Sequence, residues 1–156
     1  MPKPKQPSEL LEVLFKRVRD DETCPPPNRQ HPGDAAHDLT VTRYTPISGG
    51  AKVQLPHNLA VAIPEGYFGL VLARSSTFVK KGLIVHPGII DSGYRGEVMT
   101  VVFNPSGKMV HIGDGERVSQ LLILPVVPVE FAHAKKDLPS GDRGTDGFGS
   151  TGGFTG

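Results

Sequence analysis

The chain has 156 residues, 37% of them apolar, and a formal net charge of +1 at pH 7. That length supports one ordinary domain with a modest core and no need of disulfides or a structural metal, and the near-neutral charge excludes the strong field with which a protein draws in nucleic acid or an acidic membrane surface. Nineteen glycines, fifteen prolines and no tryptophan favour short strands and turns over helices.

Met1 to Pro7 is a Lys/Pro tail. Ser8 then stands where it can cap a short helix whose Leu11, Leu14, Phe15 and Val18 fall at i, i+3, i+4 and i+7. Glu9 and Glu12 near its start and Lys16, Arg17 and Arg19 near its end suit the helix dipole. The apolar stripe is expected to lie on the body of the same chain, and an unidentified partner is the other way to cover it. Prolines 25–27 follow as a stiff linker, so residues 1–30 read as tail, N-terminal helix and linker. Cys24 is alone and forms no intrachain disulfide, and the N-terminus has no apolar segment of the secretory kind, which together predict a cytoplasmic setting. No apolar run approaches the roughly 20 residues a bilayer requires.

Residues 31–131 read as an all-β core, with strand candidates LTVTRY, AKVQL, YFGLVLA, GEVMTVVF and VSQLLILPVV separated by Gly, Pro, Asn, Ser or Asp. The run YFGLVLA meets Arg74, Ser75 and Ser76 at once, so a buried strand delivers a cation and two hydroxyls to its exposed end. Asp91 lies between an apolar strand and a glycine-containing turn, where a carboxylate can be held at a loop edge. The six histidines show no metal-ligand spacing. Residues 132–156 read as a flexible Gly/Ser/Thr-rich arm, in which Arg143, Phe148, Gly149, Ser150 and Thr151 are expected to offer a cation, a ring and hydroxyls on a backbone able to approach phosphates.

Five stretches in order, DAAHDL (34–39), ARSSTFVKKGL (73–83), GIIDSGYRGEV (88–98), GERVSQLLI (115–123) and RGTDGFGSTG (143–152), resemble the five motifs of the trimeric dUTPase family. The resemblance implies a distorted jelly-roll-like β-barrel and a homotrimer whose active sites are shared, with the arm of one subunit completing a neighbour's site. It implies Mg²⁺-assisted hydrolysis of dUTP to dUMP and pyrophosphate, which keeps uracil out of DNA and supplies dUMP for thymidylate synthesis. By the same resemblance Asp91 is the base that activates a water for in-line attack on the α-phosphorus. Tyr94 packs on the deoxyribose and leaves no room for a 2′-hydroxyl, and Gly88 to Ile90 read uracil through backbone groups. Arg74, Ser75, Ser76 and Gln120 contact the phosphates, and Asp38 orients water ligands of Mg²⁺ held mainly by the substrate. In the arm, Arg143 clamps the γ-phosphate, Phe148 stacks on uracil, and Gly149, Ser150 and Thr151 close over the nucleotide.

Several positions depart from the family pattern. Ala36 and His37 replace a usual glycine and a usual apolar residue, Thr77 and Phe78 replace a small apolar pair, and Asp146 stands where glycine is usual. Either Asp114 or Glu116 is the acid that supports the arm's arginine, with register favouring Glu116, and Phe154 is a second stacking candidate beside Phe148. A dCTP deaminase resembles this family in fold but needs a catalytic glutamate where this chain has Val101 and Val102. A trimeric regulatory protein that keeps the nucleotide site as a sensor is the alternative from another class.

Overall fold

The computed structural model describes residues 10–20, 24–142 and 144 and is built mainly of short strands, of which Met99–Phe103 shows the clearest alternation of buried and less buried residues. In chain order these are β1 (Leu14–Arg17), β2 (His37–Thr40), β3 (Thr45–Ile47), β4 (Lys52–Pro56), β5 (Leu59–Ala62) and β6 (Tyr67–Ala73). The helix α1 (Ser75–Lys81) follows, then β7 (Ile84–His86), β8 (Gly88–Ile90), β9 (Met99–Phe103), β10 (Val110–Ile112) and β11 (Arg117–Pro125). The strands pair antiparallel in the orders β2-β11-β6-β8, β4-β9-β7, β1-β5 and β10-β3. Spatial neighbours such as β2 and β11 lie far apart in sequence, so the sheets are stitched by crossovers and not by simple hairpins.

Two apolar clusters fill the interior. Leu39, Val61, Val71, Val98 and Leu121 belong to one, and Val41, Leu55, Leu83, Val102 and Val118 to the other. A buried polar thread runs beside both. His57 Nδ1 lies 2.9 Å from the Thr40 carbonyl, which only accepts, so Nδ1 carries the proton and Nε2 accepts from Thr100 Oγ1 at 2.7 Å. Thr100 in turn accepts from Ser119 Oγ at 2.6 Å. Every member is satisfied, which is the condition for a polar chain in a dry core to stabilise the fold. Burial lowers the His57 pKa, with smaller opposing contributions from the Thr40 carbonyl and the Glu97 charge.

The N-terminal helix predicted from the 3.6-residue spacing is not what forms. Residues 10–13 have no regular structure and Leu14–Arg17 is a strand, in register with Ala62 to Leu59 of β5. The segment carries both periods, because Leu11, Val13 and Phe15 also alternate, and these three line one recess. An isolated helix of about 12 residues is marginal in water. The edge of β5, together with Asn58, whose side-chain Oδ1 takes the Val18 and Arg19 amides at 3.1 and 2.7 Å, gives the extended form backbone partners that the helix lacks.

Candidate active site

β6 ends at Ala73, and Arg74, still extended at φ −72° and ψ 148°, turns the chain into α1. Thr77 is the buried residue of this helix, and its Oγ1 donates to the Val118 carbonyl at 2.6 Å, pinning α1 to β11. Gly82 ends the helix at φ 65°, a left-handed conformation that glycine adopts without a Cβ penalty. The helix was not foreseen from the sequence. It serves to aim Ser75, Ser76, Lys80 and Lys81 around the strand end.

Asp38 sits on β2 directly opposite Gln120 of β11 and is only 8% exposed. Its Oδ1 takes Arg74 Nε at 2.8 Å and its Oδ2 takes Arg117 Nη1 at 3.1 Å. One carboxylate thus holds two guanidiniums, leaving a net positive cluster whose geometry is fixed before any ligand arrives. Asp38, Arg74, Ser75 and Gln120 border a recess of ≈ 350 Å³ together with Gln30 and Asp34. The Gln120 amide donates to the Ala73 carbonyl at 2.9 Å, and its nitrogen carries a second hydrogen for another acceptor. Arg74 also borders an adjoining recess of ≈ 310 Å³ with Ser76, Lys80, Lys81, Glu116 and Arg117. In that recess four cations face one carboxylate, a charge balance suited to a polyphosphate. Glu116 is held by Lys81 Nζ at 2.7 Å and by the Gly113 amide at 2.9 Å, whereas Asp114 lies outside the residues lining this recess.

β8 is the outer strand of its sheet, paired on one side with β6 through Gly88↔Val71 and Ile90↔Gly69. Its second edge is unpaired among the described residues, so backbone donors and acceptors remain there for a planar ligand. Beyond Ile90 the chain turns, with the Tyr94 amide donating to the Asp91 carbonyl at 3.0 Å and Arg95 Nη1 bracing the turn on the Ser92 and Tyr94 carbonyls at 2.6 and 2.8 Å. Asp91 is exposed, and its carboxylate accepts no hydrogen bond from any described residue, which leaves both oxygens for water. Asp91, Tyr94, Ile89, Ile90, Glu97 and Met99 line a third recess, of ≈ 350 Å³. The Tyr94 hydroxyl donates to the Glu97 carbonyl at 3.0 Å, and the ring lies over Gly96, where a Cβ would stand 2.6 Å from Tyr94 Cζ.

The structure therefore gathers Asp38, Arg74, Ser75, Ser76 and Gln120 at one place and Ile90, Asp91 and Tyr94 at another, with Gly88 at the start of β8 but outside the lining of that recess. The two places share no lining residue within one chain. Arg143, Phe148, Gly149, Ser150 and Thr151 lie outside the described residues, as do Asp146 and Phe154. Residue-by-residue reading missed Arg117, Gly96, Glu97 and Arg19. The first three stand inside the quoted motifs, whereas Arg19 carries no local signal because its partner Glu97 is 78 positions away. Among the substituted positions, His37 lines a larger apolar recess of ≈ 590 Å³ beside Leu11, Phe15 and Arg29, where burial and then the Arg29 charge lower its pKa. None of the site residues named above lines that recess.

The dUTPase family model matches residues 22–152. Similar proteins include the deoxyuridine 5′-triphosphate nucleotidohydrolase of Leifsonia xyli subsp. xyli, 39% identical over 125 residues, covering 78% of this chain and 82% of that protein. The enzyme of the same name from Streptomyces coelicolor is 40% identical over 149 residues, covering 94% and 80% respectively. Among solved structures, the Staphylococcus bacteriophage 80alpha dUTPase with dUpNHpp matches with a TM-score of 0.82 at 26% identity, over 90% of this chain and 98% of that one. The dUTPase from phage phi11 of S. aureus, in which a structural Mg(II) ion is coordinated, matches in fold with a TM-score of 0.72 at 24% identity, over 80% and 97%. The all-β architecture is thus the jelly-roll-like one that the motifs implied.

Proposed function

Since the chain belongs to the dUTPase family, we propose that it hydrolyses dUTP to dUMP and pyrophosphate, with Asp91 activating the attacking water and the Arg74 cluster holding the phosphates. The observation that carries this reading is the division of labour between the recesses. One presents an exposed, unbonded carboxylate beside a tyrosine ring and a free strand edge, and the other presents preorganised cations and hydroxyls. Triphosphate hydrolysis needs both: charge neutralised along the chain of phosphates, and a base beside a water aligned for in-line attack.

Uracil lies against the unpaired edge of β8 at Gly88 and Ile90, and the deoxyribose lies on Tyr94, whose ring fills the space of a 2′-hydroxyl. Ser75, Ser76 and Gln120 donate to phosphate oxygens, with Ser76 on the oxygen that bridges the α- and β-phosphates. Because no single chain brings Asp91 to the Arg74 recess, a trimer in which different subunits supply the two parts accounts for the separation. The arm then adds Arg143, Phe148, Gly149, Ser150 and Thr151 as a lid that orders on the correct nucleotide.

The donor set also fits the expected metal. Among the described residues no group of three His, Cys, Asp or Glu side chains could cage an ion, whereas Mg²⁺ favours phosphate oxygens and retained waters. Asp38 is the carboxylate placed to orient such waters beside the phosphates, its Arg74 and Arg117 bonds fixing its plane. When bound with the substrate, Mg²⁺ supplies charge neutralisation on the phosphate oxygens.

The test is product analysis from dUTP, UTP, dCTP and dTTP, each with magnesium and with chelator. Magnesium-dependent dUMP and pyrophosphate from dUTP alone support the assignment. Conversion of dCTP would point to a deaminase, and binding of dUTP without turnover to a regulatory protein.

A further inference from the structure

Glu97 is the junction of three segments. Its side chain takes Arg19 Nη1 on Oε2 and Arg19 Nη2 on Oε1, both at 2.8 Å, and the Asn58 amide on Oε1 at 2.7 Å. Its backbone carbonyl takes the Tyr94 hydroxyl at 3.0 Å. The next residue is anchored as well, since the Val98 amide donates to the Leu59 carbonyl at 2.7 Å. On the far side Arg19 is itself fixed, its amide donating to Asn58 Oδ1 at 2.7 Å and its carbonyl accepting from Asn58 Nδ2 at 3.2 Å. Asn58 is buried and left-handed at φ 50°, a conformation that asparagine tolerates better than most residues.

We propose that the Arg19–Glu97 ion pair is a positioning device for sugar discrimination, holding the Glu97 carbonyl where it fixes the Tyr94 ring against the deoxyribose. This rests on the dUTP reading above and adds to it two residues that touch neither base nor phosphate. The Arg19 side chain is 50% exposed, so the pair contributes little to global stability. What it contributes is geometry. A bidentate guanidinium fixes the carboxylate in its plane, and with Asn58 it accounts for three charge-assisted bonds on two oxygens. The Glu97 pKa is lowered, chiefly by the Arg19 hydrogen bonds, so the carboxylate stays charged and the clamp closed. Tyr94 is 43% exposed and has few other restraints, so its ring follows the carbonyl that holds its hydroxyl.

The experiment measures kcat and KM for dUTP and UTP in the wild type, Glu97→Gln, Arg19→Gln and Arg19→Lys, each also in a Tyr94→Phe background. The two glutamine variants are expected to lower the dUTP/UTP ratio of kcat/KM on the order of tenfold, mainly through a higher KM for dUTP. Arg19→Lys, the milder change, keeps the charge without the fork and is expected to recover part of that loss while preserving the fold. With Tyr94→Phe there is no hydroxyl for the carbonyl to hold, so the same substitutions should change the ratio no further. An unchanged ratio in an enzyme that hydrolyses dUTP, or an equal fall in the Tyr94→Phe background, would overturn the positioning role while leaving the function intact. A wild type that does not hydrolyse dUTP would overturn the functional reading and this inference with it.

Discussion

Replacing Gly96 by alanine adds a methyl group where the Tyr94 ring now lies. The new Cβ would stand 2.6 Å from Tyr94 Cζ and 3.1 Å from Cε2, and closer still to the hydroxyl, well inside van der Waals contact. Gly96 does not have a positive φ, so its backbone accepts an L side chain and the whole effect is the collision with the ring. If the ring stayed, overpacking would cost about 1–3 kcal/mol. The ring has an easier course, because it is 43% exposed and held at its tip by one hydrogen bond to the Glu97 carbonyl. Swinging into solvent forfeits that bond, worth about 0.5–1.5 kcal/mol net, so a domain of this size should lose only a few degrees of Tm. The functional loss should be much larger, since on the proposed reading the displaced ring would no longer fill the space of a 2′-hydroxyl. Gly96→Ala is expected to keep most of its stability in thermal unfolding and to lose about tenfold or more of its preference for dUTP over UTP in kcat/KM. A variant with wild-type selectivity would show that the ring position does not set sugar choice, and one that unfolds outright would show that Gly96 serves the fold.

Asp91→Asn preserves the size and the turn but removes the basic oxygen, so dUTP binding measured calorimetrically should persist while kcat falls by about 10²–10⁴-fold; wild-type turnover would reject Asp91 as the base. Acid should destabilise the fold in two windows, followed by unfolding midpoint against pH. His57 is neutral when folded, with its pKa below the ordinary 6.5, so its contribution is complete above that pH and is lost as pH falls from there toward the folded value. His37 adds to the loss in the same direction, and Glu97, lowered from 4.5 chiefly by its Arg19 hydrogen bonds, adds a second and small loss below that pH, because solvent screens the pair on its half-exposed Arg19 side. His57→Gln should flatten the upper window, and an unaltered slope there would show that the buried thread does not carry it. Removal of residues 140–156 should leave the oligomeric mass of the core unchanged by light scattering but reduce dUTP turnover at least tenfold; a monomeric product would refute the separation of core from arm.

Where chemistry and chain direction are local, the amino-acid pattern was sufficient. β6 is an unbroken run of seven residues without a charge, followed at once by Arg74, so both the strand and the cation at its mouth are written in consecutive positions. The turn from Asp91 to Tyr94 follows from one acidic residue and one glycine, and the motifs marked Asp38, Gln120 and the two serines because each stretch is short and ordered. The segment from Leu11 to Val18 was not decidable locally, since its apolar residues satisfy a helical period and an alternating one. The β5 edge and Asn58 chose the strand by offering it backbone partners. The helix at Ser75 was hidden for a related reason. It is only seven residues long, lacks a side-chain cap, and is held by Thr77 bonded to a strand 41 positions away. Sequence alone determined which chemical groups are available for the proposed phosphate binding and water activation, namely a cation and two hydroxyls after β6 and a carboxylate after β8. Only the tertiary structure decided that Asp38 holds Arg74 and Arg117, and that Arg19 holds Glu97, because those pairs join residues as many as 79 positions apart that no local period connects.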